Sequence, residues 1–303
     1  MFKFIFGPVS SRRFGLSLGV DLSPDIKQCN FDCLYCELKG AKTVDTMQNP
    51  PSVKEITDEL KTALKKYPDI DVITVTANGE PTLYPYLKEL AREINGLKCD
   101  KKLLILSNGA LITDKSVQEA LLEFDIVKLS LDAATPQLFK KLDRAHKSVD
   151  LERMIEGMKE FSGVFKNELV LETLVVKDLN DTRDDFLALN RVINEIKPSR
   201  IDLGTIDRPS AYRVLPVSFE TLEILSREIE NVPLVIVKRK AIVSPKEFSL
   251  DEIIQLLRRR PQSAEDIEAF FDKESKERLK KLLDEGRAET VSVAGVVFYK
   301  ILQ

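Results

Sequence analysis

Residues 71–109 read DVITVTANGEPTLYPYLKELAREINGLKCDKKLLILSNG. Two apolar, β-branched runs, DVITVTA (71–77) and KLLILS (102–107), bracket a segment of helix length, and each run ends in a turn containing Asn-Gly. Runs of this length bounded by turn residues read as strands, and strand followed by helix makes one βα unit. The same alternation extends in both directions, with further strands at LSLGVDL (16–22), DIVKLSL (125–131), ELVLETLVV (168–176) and RIDLGTI (200–206). Helix starts are marked between them. Ser52 and Glu55 make a capping box before EITDELKTALKKY, Thr135 precedes a helix opening on Pro136, and Asp150 and Asp181 cap two more. Every strand is followed by a helix except the first, whose exit is taken by a cysteine-bearing loop. Six βα units with near-continuous apolar strands predict an α/β protein: a parallel sheet covered by helices, forming a partial (β/α)6 TIM-like barrel. An open doubly wound sheet is the alternative.

After VPLVIVKRKAIV (232–243) the texture changes. Three short helices (250–260, 264–271, 274–285), a stop at Gly286 and two strands around an Ala294-Gly295 turn predict a small C-terminal winged helix-turn-helix domain. The expected division is 1–244 for the barrel and 245–303 for the winged helix. That tail holds 11 Lys and Arg against 12 Asp and Glu, so counterion release offers it little nonspecific affinity for nucleic acid. Its third helix carries Lys276, Arg278, Lys280 and Lys281 as a local basic patch. The run Arg258 to Arg260 reads as a helix C-terminus meeting its dipole.

Composition narrows the class. The chain has 303 residues, 43% hydrophobic and 31% charged, with 46 basic and 49 acidic side chains interspersed. That is a globular profile, neither disordered nor a polyelectrolyte binder. No run of about 18 apolar residues spans a membrane. MFKFIFGPVSSRRFG at the N-terminus lacks the apolar core of a signal peptide, so a cytoplasmic location is expected. In that reducing setting clustered cysteines point to metal or catalysis rather than disulfides.

Three of the four cysteines fall in CNFDCLYCEL (29–38), spaced C-x3-C-x2-C at Cys29, Cys33 and Cys36. Soft thiolates so arranged favour zinc or an iron–sulfur cluster. A structural zinc site takes four ligands, and the single histidine, His146, lies far away in a polar loop. Three thiolates on a [4Fe-4S] cube instead leave one iron open to a small chelating molecule. Cys99 reads as a semi-buried thiol after a helix, and His146 as a surface residue.

With Tyr35 just before the last cysteine, and the loop placed after the first strand, the motif resembles that of the radical S-adenosylmethionine superfamily. The resemblance implies a [4Fe-4S] cluster on Cys29, Cys33 and Cys36 and S-adenosylmethionine on the open iron. It further implies reductive cleavage to a 5′-deoxyadenosyl radical, with electrons from a reductant protein of flavodoxin or ferredoxin type. In that family ligands lie at the carboxyl ends of the strands. Gly79, Glu80, Pro81 and Thr82 resemble the glycine-rich turn that receives the methionyl amino group. Ser107 and Asn108, and Ser130 and Asp132, stand where polar groups face the methionyl carboxylate and ribose; Glu172 and Tyr35 are carried over with them. Arg208, after the sixth strand, is a candidate for an anionic substrate group, and Arg12 and Arg13 are further substrate candidates.

Within the superfamily, GPVSSRRFGLSLGVDL (7–22) and LGTIDRPSAYRVLP (203–216) resemble the branch that includes the tRNA wybutosine-synthesis enzyme and relatives ending in a winged helix. That enzyme carries upstream cysteines for a second cluster, whereas no cysteine precedes Cys29 here. The expected function is hydrogen abstraction by the 5′-deoxyadenosyl radical from a substrate that the sequence does not identify, an RNA or tRNA base being the first candidate. Alternatives are a peptide, protein or small-metabolite substrate, with the winged helix as an RNA or peptide docking module, and a noncatalytic iron–sulfur regulator.

Overall fold

The computed structural model describes residues 2–11, 13–236, 245–293 and 296–302. Its main sheet has eight strands in strictly sequential order. They are β1 (Ile5–Ser11), β2 (Gly15–Asp21), β3 (Val72–Thr76), β4 (Lys102–Ser107), β5 (Ile126–Ser130), β6 (Glu168–Val175), β7 (Arg200–Thr205) and β8 (Leu234–Ile236). β1 is antiparallel to β2, and every other pair is parallel. The order never reverses, so the switch point of a doubly wound sheet is missing. Helices α1 (Val53–Lys66), α2 (Leu87–Leu97), α3 (Lys115–Leu121), α4 (Pro136–Leu142), α5 (Leu151–Val164), α6 (Arg183–Ile196) and α7 (Phe219–Ser226) fill the connections.

Alternation along each strand separates two chemistries. Leu18, Ile73, Leu103, Val127, Leu171 and Leu203, one per strand from β2 to β7, are fully buried in the main core with the helices. Each such burial stabilises by about 2 kcal/mol. The opposite face carries Ser17, Thr74, Lys128, Glu172 and Asp202, and its lower end is filled by Val72, Leu104, Ile126 and Val170 with Phe14 from the β1–β2 turn. Polar side chains on the inner face belong to a site, because a sheet buried for stability alone is apolar on both faces.

The predicted strands are present to within a residue at either end. Two more, β1 and β8, flank them. β1 contains Pro8, which has no N–H to donate and is tolerated because this strand is an edge and shifts register between Phe6 and Val9. The Ser52–Glu55 box and the Asp150 cap form. Thr135 occupies the cap position before Pro136 but makes no side-chain capping bond. The expected cap at Asp181 moves by one: Thr182 caps α6, since only it stands three residues before the reciprocating Asp185.

The C-terminal part comprises α8 (Leu250–Arg259), β9 (Gln262–Ser263), α9 (Ala264–Phe270), α10 (Lys273–Asp284), β10 (Ala288–Val293) and β11 (Val296–Ile301). The last two pair antiparallel, and β9 joins them as a third strand. Gly286, at φ +65°, ends α10, and Arg287 N–H returns to Leu282 O at 2.9 Å. The expected Ala294-Gly295 turn and the boundary residue Ser244 lie outside the described residues. Phe248, Leu257, Phe270, Phe271 and Leu279 form a second core, which Val9 of β1 completes. Polar contacts fasten it to the first part: Arg259 Nε donates to Asp21 at 2.8 Å, and Lys66 and Tyr67 donate to Glu252 at 2.5 and 2.6 Å.

Candidate functional site

The cysteine loop leaves the carboxyl end of β2 and is sewn by backbone bonds to three neighbours. Gln28 N–H donates to Asn78 O, and Glu80 N–H donates to Gln28 O, both at 2.9 Å, which fixes the chain just before Cys29 against the turn after β3. Asp32 and Leu34 N–H donate to Asp143 and Leu142 O at 3.1 and 2.9 Å, and His146 N–H donates to Asn30 O at 2.7 Å. Ala211 N–H reaches Cys36 O at 2.8 Å from the loop after β7. Tyr212 in that loop donates to Asp32 at 2.5 Å, with Arg144 stacked 4.6 Å from its ring. A loop held on three sides presents its thiols in fixed positions before any ligand arrives.

Gly79 makes the first of these contacts feasible. At φ +135° its α-carbon packs so closely that a β-carbon would lie 1.8 Å from Gln28 O. The adjacent Glu80 is 1% exposed, and its carboxylate accepts from Thr82 N (2.9 Å), Thr82 Oγ1 (2.6 Å), Ser107 Oγ (2.7 Å) and Asn108 N (2.8 Å). Burial pushes its pKa up, opposed by those four donors. One carboxylate thus locks the end of β4 to the turn after β3. Asn108 is left to point its amide at Asn30 Oδ1 (2.7 Å) and Cys29 Sγ (3.7 Å).

The three cysteines are free thiols lining one cavity of about 1460 Å³. Burial raises their pKa values, that of Cys29 to about 12, and Asp143 adds to the rise at Cys33. Lys27 counters it at Cys36, with Nζ 3.5 Å from the sulfur. Thiols so disfavoured as free thiolates make poor nucleophiles and await a metal cation to ionise them. Among the described residues no three His, Cys, Asp or Glu side chains gather as ligands of one metal ion. A [4Fe-4S] cube takes one thiolate per iron, so its cysteines stand further apart than those of a mononuclear site. Asn30 Nδ2, buried beside Cys29 without a partner among the described residues, is a spare donor of the kind that serves cluster sulfur. These features fit the cluster.

Of the other expected cofactor residues, Tyr35, Gly79, Glu80, Ser107, Asn108, Ser130 and Glu172 line the same cavity. Pro81, Thr82 and Asp132 do not. Pro81 and Thr82 are buried in the short helical turn Pro81–Leu83. Asp132 turns inward, accepting from Tyr35 Oη and from Leu174 N at 2.6 Å; burial raises its pKa to about 7 against those two bonds. Glu172 is engaged by Lys128 Nζ at 2.5 Å and Arg13 Nη1 at 2.7 Å, and both cations also reach Asp202, at 3.3 and 3.0 Å. Arg13 therefore belongs to an inner-face ion network, and Arg208 lines the same cavity. Arg12 lies outside the described residues. Cys99 is exposed rather than semi-buried, and His146 bonds Ser148 at 2.7 Å in its loop.

Lys27, Lys128 and Asp202 were not anticipated. A period-two reading of IVKLS and RIDLG signals the last two, since each puts a charge on the face opposite the core residues.

Among known proteins, the family model "Radical SAM superfamily" matches residues 24–189. The UPF0026 protein of Helicobacter pylori (strain 26695) is 41% identical over 298 residues, covering 97% of this chain and 96% of that one. Two solved structures share the fold. Streptococcus suis SuiB bound to S-adenosylmethionine has TM-score 0.53 and 18% identity, over 71% of this chain and 49% of its own. TYW1 with a lysine-pyruvate adduct has TM-score 0.50 and 15% identity, over 94% and 80%. The superfamily uses a [4Fe-4S] cluster and S-adenosylmethionine. The three-thiol loop lining the cavity, the matching family model and the UPF0026 relative lead to one conclusion: this chain belongs to the radical SAM superfamily and, within it, to the UPF0026 proteins.

Proposed function

We propose that the protein is a radical S-adenosylmethionine enzyme in which Cys29, Cys33 and Cys36 hold the [4Fe-4S] cluster. The observation that carries this reading is the convergence of three half-buried cysteines and the Gly79–Glu80 turn on one cavity, joined through Gln28. When bound, the cluster and S-adenosylmethionine together supply a 5′-deoxyadenosyl radical that abstracts hydrogen from substrate. The chain's own residues position and shield. The Gly79 backbone, Ser107, Asn108 and Ser130 border the space beside the cysteine loop and serve the methionyl and ribose groups. Glu80 and Asp132 act from beneath, the first by fixing Asn108 and the second by anchoring Tyr35. Tyr212 and Ala211 brace the loop from the far side, and apolar Phe31 and Leu34 keep water from the thiols.

We read the sheet as a partial barrel and residues 245–303 as a winged helix-turn-helix domain, in a cytoplasmic protein fed by a flavodoxin- or ferredoxin-type reductant. Among the described residues no helix is long and apolar enough to cross a membrane. The cavity exceeds the roughly 300–1,000 Å³ of an ordinary small-molecule site, leaving room for a substrate beside the cofactor. Its outer wall includes Arg258, Arg259 and Arg260 of the C-terminal part, which supports an RNA base, in tRNA, as the substrate.

The ligand assignment is tested by Cys33→Ala. Reconstituted wild type is expected to hold about four irons per chain, and the variant to lose both iron and the broad visible absorbance. An intact four-iron cluster in Cys33→Ala sinks the assignment.

A further inference from the structure

The cavity wall carries arginines whose hydrogen-bonding capacity the fold does not fully use. Arg259 is spent on Asp21 and on Lys3 O, and Arg13 and Lys128 on Glu172 and Asp202. Arg208 and Arg260 are different. Arg208 Nε donates to Pro261 O at 3.1 Å, which pins its guanidinium beside the residue that follows Arg260. The nearest carboxylates, Glu37 and Asp207, stand 3.7 and 3.6 Å from Arg208, beyond hydrogen-bond reach, so most of its fork remains available. Among the described residues the Arg260 guanidinium has no hydrogen bond or ion pair. Asp266, the acid on the neighbouring helix, bonds Ser263 in its capping box and acts on both guanidiniums only through space. Burial pushes the Arg260 pKa down to about 10, and the charge of Arg208 adds to the fall.

Glu37 and Asp207 pair with Arg208 only beyond hydrogen-bond distance, and Glu37 and Asp266 act on Arg260 through space alone; partly buried guanidiniums whose donors lack a hydrogen-bonded acceptor weaken a fold. Such an arrangement is explained by an anion that arrives later. A forked, permanently charged donor suits phosphate oxygens, which accept two parallel bonds from each guanidinium. We infer that Arg208, from the loop after β7, and Arg260, from the end of α8, form one phosphate-binding subsite on the cavity wall, assembled only when the C-terminal part is docked. The role of that part is then to complete the substrate site, not merely to recruit a partner. The phosphate belongs either to a free nucleotide or to an RNA backbone. This deepens the radical-enzyme reading and rests on it for the identity of the reaction alone.

The test uses full-length reconstituted protein with S-adenosylmethionine present and two probes, inorganic tripolyphosphate and a short single-stranded RNA. Wild type is expected to bind at least one of them saturably and less tightly as salt rises. Arg208→Gln and Arg260→Gln each weaken that binding about tenfold or more, as expected for loss of a charge-assisted contact. Arg260→Lys, which keeps charge but not the fork, restores part of it and guards against a folding artefact. Lys54→Gln, on an open helix face, does not move it. Loss of both probes points to phosphate in general, and loss of RNA alone to a phosphodiester. Affinities unchanged in both arginine variants, no binding of either probe by wild type, or a loss confined to S-adenosylmethionine would overturn the subsite. Because binding is the readout, failure here is separable from failure of wild type to form 5′-deoxyadenosine.

Discussion

Gly79 is where one residue decides the most. Its α-carbon stands against Gln28 O, and any β-carbon would meet that oxygen at 1.8 Å in a backbone conformation that L residues rarely adopt. Gly79→Ala is expected to cost at least about 2 kcal/mol from backbone strain and collision, and to move the cysteine loop with it. The checks are a lowered melting temperature together with weakened S-adenosylmethionine binding; a variant matching wild type in both contradicts the role given to this contact. The turn itself was legible, since Asn-Gly-Glu-Pro at a strand end has few other uses. The duties of its members were not. Glu80 and Asp132 look in sequence like ligands at the right strand ends, but both carboxylates are consumed by neighbours distant in the chain, Ser107 and Asn108 for one, Tyr35 and Leu174 for the other. Hydrogen-bond partners brought together by folding leave no local trace.

At the scale of elements, strands and caps followed the alternation and capping signals closely. The errors fall where a signal is divided. β1 was obscured by Gly7-Pro8, which only an edge strand accommodates, and β8 is three residues long at the end of the sheet. Lys128 and Asp202 are hard to see in the sequence because their strands read as near-continuous apolar runs, whereas alternate positions face inward. The contact between α1 and α8 yields a pH prediction. Partial burial pushes the Glu252 carboxyl up, but bonds from Lys66, Tyr67 and Ser249 outweigh it and hold the group at about 2, against an ordinary 4.5. A carboxyl depressed in the folded state contributes stability above its unfolded pKa and loses it as pH falls through the folded one. Glu252→Gln is therefore expected to lower the melting temperature at pH 7, and the gap between variant and wild type should close as pH falls from about 4.5 toward about 2. A gap that stays constant or widens on acidification contradicts the ionised contact.

For the whole molecule, the division into two parts is visible in the sequence as a change of texture, but their interdependence is not. Val9 of the first strand completes the core of the C-terminal part, and Arg259 returns the favour by binding Asp21, whose other oxygen accepts Asn78 N at 2.9 Å just before Gly79. A continuous set of contacts thus runs from α8 to the turn beside the cysteine loop, and the cavity is walled by both parts. The central claim is that this cavity houses reductive cleavage of S-adenosylmethionine. Its most direct test is 5′-deoxyadenosine formation by anaerobically reconstituted, dithionite-reduced wild type, quantified with S-adenosylmethionine alone and again with bulk tRNA. The account predicts product in the first case and more in the second; no product from protein carrying an intact, reduced cluster would contradict it.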